Sequence, residues 1–290
     1  YNNKLLKYYN KNMNVIGLYG GSGFIGNYFQ SMLRKTNDDS KVYLIPHRGS
    51  PEEIKAALKK LNSHELEESK KSIIYLAENN VISDADRNDK SYTNKNLDRL
   101  NFILSSTSIK VIYASSVSVY GDLSEERHHP SDKLVATNTY THSKLECEKL
   151  IIQANGTIAR LSNIYGPGMS EKNILSDILR QISTKNPDSI NIQNGTPKRD
   201  LIHVHDVTSC LLAMSKIQEK GVYNVATGND ISMKDLARMI LEAANLEGCK
   251  IVESKHNTTT SCISLDISST TETFKWTPII RLKDGLKELV

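Results

Sequence analysis

The sequence predicts an α/β protein, a doubly wound parallel sheet joined to a smaller C-terminal lobe of mixed helices and strands. Three observations support this. Apolar runs of strand length recur at 14–19, 41–45, 72–77, 110–114 and 156–161. Segments long enough for an amphipathic helix lie between most of them, and strands joined by such crossovers must pair in parallel, with helices on both faces. Past Tyr165-Gly166-Pro167-Gly168 the alternation loosens into shorter strand candidates.

The first strand (NVIGLY, 14–19) ends in glycines and leads into a helix over 25–35; KVYLI (41–45) is the second strand. Ser50-Pro51-Glu52-Glu53 then opens a helix, with serine as N-cap, proline at the first position and Glu53 closing a capping box. Ile54, Ala57, Leu58 and Leu61 continue it at helical spacing. SIIYLA (72–77) precedes a helix marked by Leu97, Leu100, Ile103 and Leu104. KVIYA (110–114) precedes a helix over 137–154, and GTIARL (156–161) is again a strand. Beyond it, strands are expected at 190–192, 201–204, 222–225 and 250–252. Helices are expected near 171–184, 206–218, 233–245 and 281–289, with Ser232 and Asp235 capping the third. Residues 13–165 form the first domain, and 166–290 a lobe interleaved with it.

The 290 residues are 38% apolar and 24% charged, an ordinary globular composition. A net charge of +4 with no lysine/arginine block argues against a nucleic-acid partner. No apolar run approaches the ~18 residues of a membrane span. Residues 1–12 are polar, lack a signal peptide's apolar core, and are set aside from the fold. Cys147, Cys210, Cys249 and Cys262 form no C-x-x-C pair, which disfavours a metal site and fits a reduced, cytoplasmic setting.

Gly20-Gly21-Ser22-Gly23-Phe24-Ile25-Gly26 is a G-x-x-G-x-x-G loop between a strand and a helix. Gly20 permits the turn, Gly23 lets the backbone approach a pyrophosphate, and Gly26 allows close helix–strand packing. The first-turn N–H groups of the helix then face the phosphates. These features predict a dinucleotide-binding, Rossmann-type first domain. A ribose 2′-hydroxyl calls for a carboxylate after the second strand. This chain has His47 and Arg48 there, so NADP(H) is favoured, with NAD(H) the alternative.

Tyr140 and Lys144, at i and i+4, share one helix face. A tyrosine of ordinary pKa near 10 is a poor base at neutral pH, and a neighbouring ammonium favours its phenolate. Ser116 lies just past the strand at 110–114, where open α/β sheets bind ligands. Its hydroxyl can hydrogen-bond an oxygen that gains or loses a proton during hydride transfer.

With these residues in this order, the chain resembles the extended short-chain dehydrogenase/reductase family, the sugar-nucleotide epimerases, dehydratases and reductases. Further matches are Leu76-Ala77, Ser115–Gly121 (SSVSVYG), the RLSNIYGP run from Arg160 to Pro167, Arg199-Asp200 through Val204, and Tyr223–Gly228. The resemblance implies Ser116, Tyr140 and Lys144 as catalytic residues. It also implies Leu76 and Ala77 beside the cofactor, and Asn163 and Arg199 on the diphosphate of a nucleotide-diphosphate sugar. Asn96 matches an active-site asparagine, with Asn94 competing for the alignment. A homodimer is implied by the family's usual state.

The chain also departs from the family. The third strand expected between 45 and 72, with its adenine-contacting aspartate, is hard to find. The stretch 78–96 reads as a remodelled substrate loop, and His128-His129 as a neutral surface loop. Val117-Ser118 replaces the Asp-Glu pair of 4,6-dehydratases, which disfavours dehydration. A 4-ketoreductase and a 4-epimerase remain open, both transferring hydride at a sugar carbon, C4 by expectation. Outside catalysis, the alternative is a cofactor-sensing regulatory protein.

Overall fold

The computed structural model describes residues 13–77, 90–121, 123–183, 187–254 and 261–290. The stretch 78–89, most of the segment read as a remodelled loop, lies outside the described residues. Six strands form an all-parallel sheet: β1 (Val15–Tyr19), β2 (Lys41–Ile45), β3 (Lys71–Tyr75), β4 (Val111–Ser116), β6 (Thr157–Leu161) and β10 (Gly221–Val225). Their order across the sheet is β2-β1-β3-β4-β6-β10.

Strand residues alternate between two apolar layers, as the two-residue period requires. Ile16, Leu18, Ile74, Ile112 and Ala159 face α1 (Phe24–Thr36) and α6 (Val204–Lys216). Val15, Ile73, Val111, Tyr113 and Ile158 face α2 (Pro51–Asn62), α3 (Lys90–Ser106) and α4 (Thr139–Gln153). Both faces are covered, so the central strands read as unbroken apolar runs. The Ser50 hydroxyl accepts from Glu53 N and the Glu53 carboxylate accepts from Ser50 N, the capping box expected for α2.

From β1 the chain goes to β2 on one side and returns to β3 on the other, which leaves a crevice at the carboxyl ends of β1 and β3. Among the described residues, no strand pairs with the outer side of β2. Between α2 and β3 there is only a short 3-10 turn, Glu68–Lys70. Leu44 on β2 is accordingly exposed, in keeping with an edge strand.

After β7 (Asn163–Tyr165) the chain builds a lobe from α5 (Ile174–Ile182), β8 (Ser189–Ile192), β9 (Lys198–His203), β11 (Asp230–Ser232), α7 (Met233–Ala243), β12 (Lys250–Glu253), β13 (Cys262–Leu265) and α9 (Leu282–Leu286). Helix α8 (Ser268–Phe274) instead returns to the first sheet, with Phe274 against Tyr223 of β10. A second sheet runs β11-β9-β13-β5 with β7 on β9, where β5 is Leu123–His128; β8 and β12 pair separately. Ser232 caps α7 by accepting from Asp235 N. No described helix is long and apolar enough to cross a membrane.

Two expectations are corrected. The end of the segment read as a loop, residues 90–96, is helical and opens α3. His128 is not part of a surface loop: it ends β5, is buried, and stacks on Tyr120 with ring centroids 4.7 Å apart. The pairing of β5 with the distant β13 covers it. His129 beside it is exposed, and its ring accepts from or donates to Ser131.

Candidate active site

The glycine loop fits a bound pyrophosphate. Gly20 has φ +94°, and a Cβ there would stand 2.8 Å from Ala77 N. A Cβ on Gly26 would collide with Gly20 O, so α1 can start this close to β1 only without a side chain there. Gly23 is the N-cap of α1 and offers no side-chain acceptor to the first-turn N–H groups. Ser22 and Gly23 are exposed, with Phe24 and Ile25 half-buried behind them. Gln30, which sequence reasoning missed, fastens the loop by donating from Nε2 to Gly21 O (2.8 Å) and Gly26 O (3.1 Å). Leu76 N donates to Tyr19 O, which brings Leu76 and Ala77 to the crevice beside the loop.

His47 and Arg48 follow β2, His47 half-buried and Arg48 exposed. Burial, with Arg48 and Arg99 nearby, pushes the His47 imidazole pKa down. Arg99, also missed, reaches from α3 to donate to His47 O and to Tyr19 OH. Its distance from 47 in sequence hid it. The end of β2 thus gathers two guanidinium groups, which suits a phosphate better than a bare ribose hydroxyl.

Ser116 is the last residue of β4 and caps the 3-10 turn Val117–Tyr120. Its Oγ accepts from Ser118 N (3.3 Å) and lies 2.9 Å from Ser118 Oγ. Asn138 caps α4, which places Tyr140 and Lys144 in its first two turns. Lys144 is buried and its Nζ donates to Ala114 O at 2.8 Å, two residues before Ser116. That ammonium lies 5.7 Å from the centre of the Tyr140 ring, and Tyr140 is half-buried. α4 therefore lies against the carboxyl end of β4, and all three side chains are held at one edge of the sheet.

Asn96 is buried, and its Nδ2 donates to Ser143 Oγ at 3.0 Å, bracing α3 against the turn of α4 that carries Tyr140 and Lys144. Asn163 and Arg199 line a cavity of about 660 Å³ with Tyr165, Lys172, Arg180 and Met233. Asn163 is exposed and donates to Asp200 O; Arg199 donates to Lys198 O, Ser261 O and Ser261 Oγ. Glu171 and Asp177 line the same cavity, and Arg180 is paired with Asp177 at 3.2 Å, so Arg199 and Lys172 are the cations on which an anionic ligand would depend.

A family model described as NAD dependent epimerase/dehydratase family matches residues 16–226. GDP-6-deoxy-D-mannose reductase of Pseudomonas aeruginosa is 26% identical over 249 residues, 79% of either chain. The structure of RMD from Pseudomonas aeruginosa complexed with NADPH shares 24% identity and has a TM-score of 0.85, covering 95% of this chain and 97% of that one. UDP-N-acetylglucosamine 4-epimerase from Methanobrevibacter ruminantium, in complex with UDP-N-acetylmuramic acid, has a TM-score of 0.76 at 21% identity over 95% and 96%. The family match spans the whole parallel sheet and both halves of the site: this chain belongs to the NAD dependent epimerase/dehydratase family of nucleotide-sugar enzymes.

Proposed function

We propose that the chain is an NADPH-dependent reductase of a nucleotide-diphosphate keto sugar, acting at C4. The observation that carries this reading is the end of β2, where His47, Arg48 and Arg99 gather and the residues directly after the strand, Pro46 to Gly49, include no Asp or Glu. A releasable NADPH serves a net reduction, whereas an epimerase returns its hydride. The curated reductase relative lends support.

The bound cofactor supplies the hydride; the rest falls to the chain. Tyr140 gives its phenolic proton to the carbonyl oxygen as that carbon is reduced, and Ser116 hydrogen-bonds the same oxygen. Lys144 holds positive charge near the Tyr140 ring and would hold the nicotinamide ribose of a bound cofactor. Asn163 and Arg199 hold the diphosphate, which fixes the sugar over the trio. We extend the reading to a cytoplasmic homodimer, on the family's usual state and the four free cysteines.

An epimerase is the second reading, favoured by the SSVSVYG run. A panel of nucleotide sugars and 4-keto sugars decides between them. The reductase consumes one NADPH per sugar reduced. Interconversion of two sugars with no net cofactor change supports the epimerase instead, and turnover of nothing on the panel contradicts both.

A further inference from the structure

Behind the catalytic serine, two charged side chains with no role in the reaction above are buried against each other. Glu148 and Arg160 are each 2% exposed, and the guanidinium grips the carboxylate with two bonds, Nε to Oε1 at 3.0 Å and Nη2 to Oε2 at 2.7 Å. Glu148 sits one turn past Lys144 and two past Tyr140, so the three residues form one stripe of α4. Arg160 lies on β6, in register with Ser115 on β4. Ser115 Oγ donates to Glu148 Oε1 at 2.5 Å.

The other end of the guanidinium holds the catalytic loop. Arg160 Nη1 donates to Tyr120 OH and to Pro130 O, both at 2.9 Å, and Tyr120 closes the 3-10 turn that Ser116 opens. Tyr120 OH donates to Asn224 Oδ1 at 2.6 Å, and Asn224 Nδ2 donates to His128 O and Asp266 O. One ion pair thus ties the helix carrying Tyr140 and Lys144 to the residues on both sides of Ser116. A buried pair can often be replaced by apolar side chains without loss of stability. Stability alone therefore does not explain an ion pair in this place, whereas fixed geometry does.

We propose that Glu148 and Arg160 are positioning residues that set Ser116 against Tyr140 and Lys144. The proposal rests on the catalytic reading of that trio. A misplacement of about 1 Å can cost on the order of 100-fold in rate while binding contacts survive. The pair should therefore act on kcat and leave KM alone.

The test compares Ser115→Ala, Tyr120→Phe and the double variant Glu148→Gln/Arg160→Met with the parent chain. The readouts are kcat, KM for the keto sugar, NADPH-binding stoichiometry and thermal midpoint. Ser115→Ala and Tyr120→Phe each cut one tie and leave the ion pair whole; each is expected to lower kcat by roughly 10-fold, with KM within about twofold. The double variant is expected to lose on the order of 100-fold in kcat while still binding one NADPH per folded chain. A folded double variant with parental kcat overturns the proposal. If it does not fold, parental kcat in both Ser115→Ala and Tyr120→Phe overturns it. A parent chain that binds NADPH but turns over nothing on the panel overturns the catalytic reading, and this proposal with it.

Discussion

Arg48 stands exposed one residue past His47, and its assignment to the 2′-phosphate of NADPH can be tested alone. A hydrogen bond to a charged group contributes about 1.5–3 kcal/mol, or roughly 10- to 100-fold in affinity. Arg48→Ala should weaken NADPH by that factor and leave NADH nearly unchanged, read by titrating cofactor fluorescence. Equal losses for both cofactors would remove Arg48 from the phosphate. At this scale the sequence showed what short spacings and motif order can show. Ser116, Tyr140 and Lys144 were readable because strand end and helix spacing place them. Arg99 and the Glu148–Arg160 pair were not, since each acts through a partner that only the fold brings near.

Lys110, which precedes β4, closes the end of α6. Its Nζ donates to Met214 O, Ile217 O and Glu219 O, acceptors that the helix terminus leaves without intrahelical partners. Burial pushes its pKa down to about 8 from an ordinary 10.5, against the opposing pull of Glu219. Between those values the unfolded chain binds a proton that the folded chain does not, so stability rises with pH across that window. The cost of keeping Lys110 charged is fully present below pH 8. In urea unfolding, the parent chain should gain stability relative to Lys110→Met from pH 8 to 10. A constant difference between the two would refute the linkage. Among the elements, long amphipathic helices and central strands were legible because the apolar period follows burial on both sheet faces. β5, β7, β11, β13 and α8 were missed for a physical reason. They are three to seven residues long, and β5 (LSEERH) is rich in charged residues and pairs with β13, far along the chain.

The two halves of the molecule are joined by buried carboxylates. Asp200 on β9 accepts from Ser162 Oγ, Thr227 N, Thr227 Oγ1 and Asn229 N, which fixes β9 to the end of β6 and to the turn after β10. Asp206 accepts from Ile279 N and Ile280 N and fastens the C-terminal segment. Removing the Asp200 carboxylate leaves Thr227 N without its acceptor, while Ser162 Oγ, Thr227 Oγ1 and Asn229 N each keep a second one. A hydrogen bond to a charged group contributes about 1.5–3 kcal/mol, so Asp200→Ala should lose about 3 kcal/mol in denaturant unfolding. A change below ~0.5 kcal/mol would show that the lobe is held elsewhere. β10 returns from the second half to close the first sheet at the edge opposite β2, and short strands at 222–225 were readable while their sheet was not. The most direct measurement on the whole enzyme is the rate of NADPH oxidation by a nucleotide-linked 4-keto sugar in the parent chain and in Tyr140→Phe. Loss of a general acid costs about 10²- to 10⁴-fold, so the variant should fall by that factor while its NADPH affinity stays parental. Parental turnover in Tyr140→Phe would contradict the assignment of Ser116, Tyr140 and Lys144 as the reacting centre.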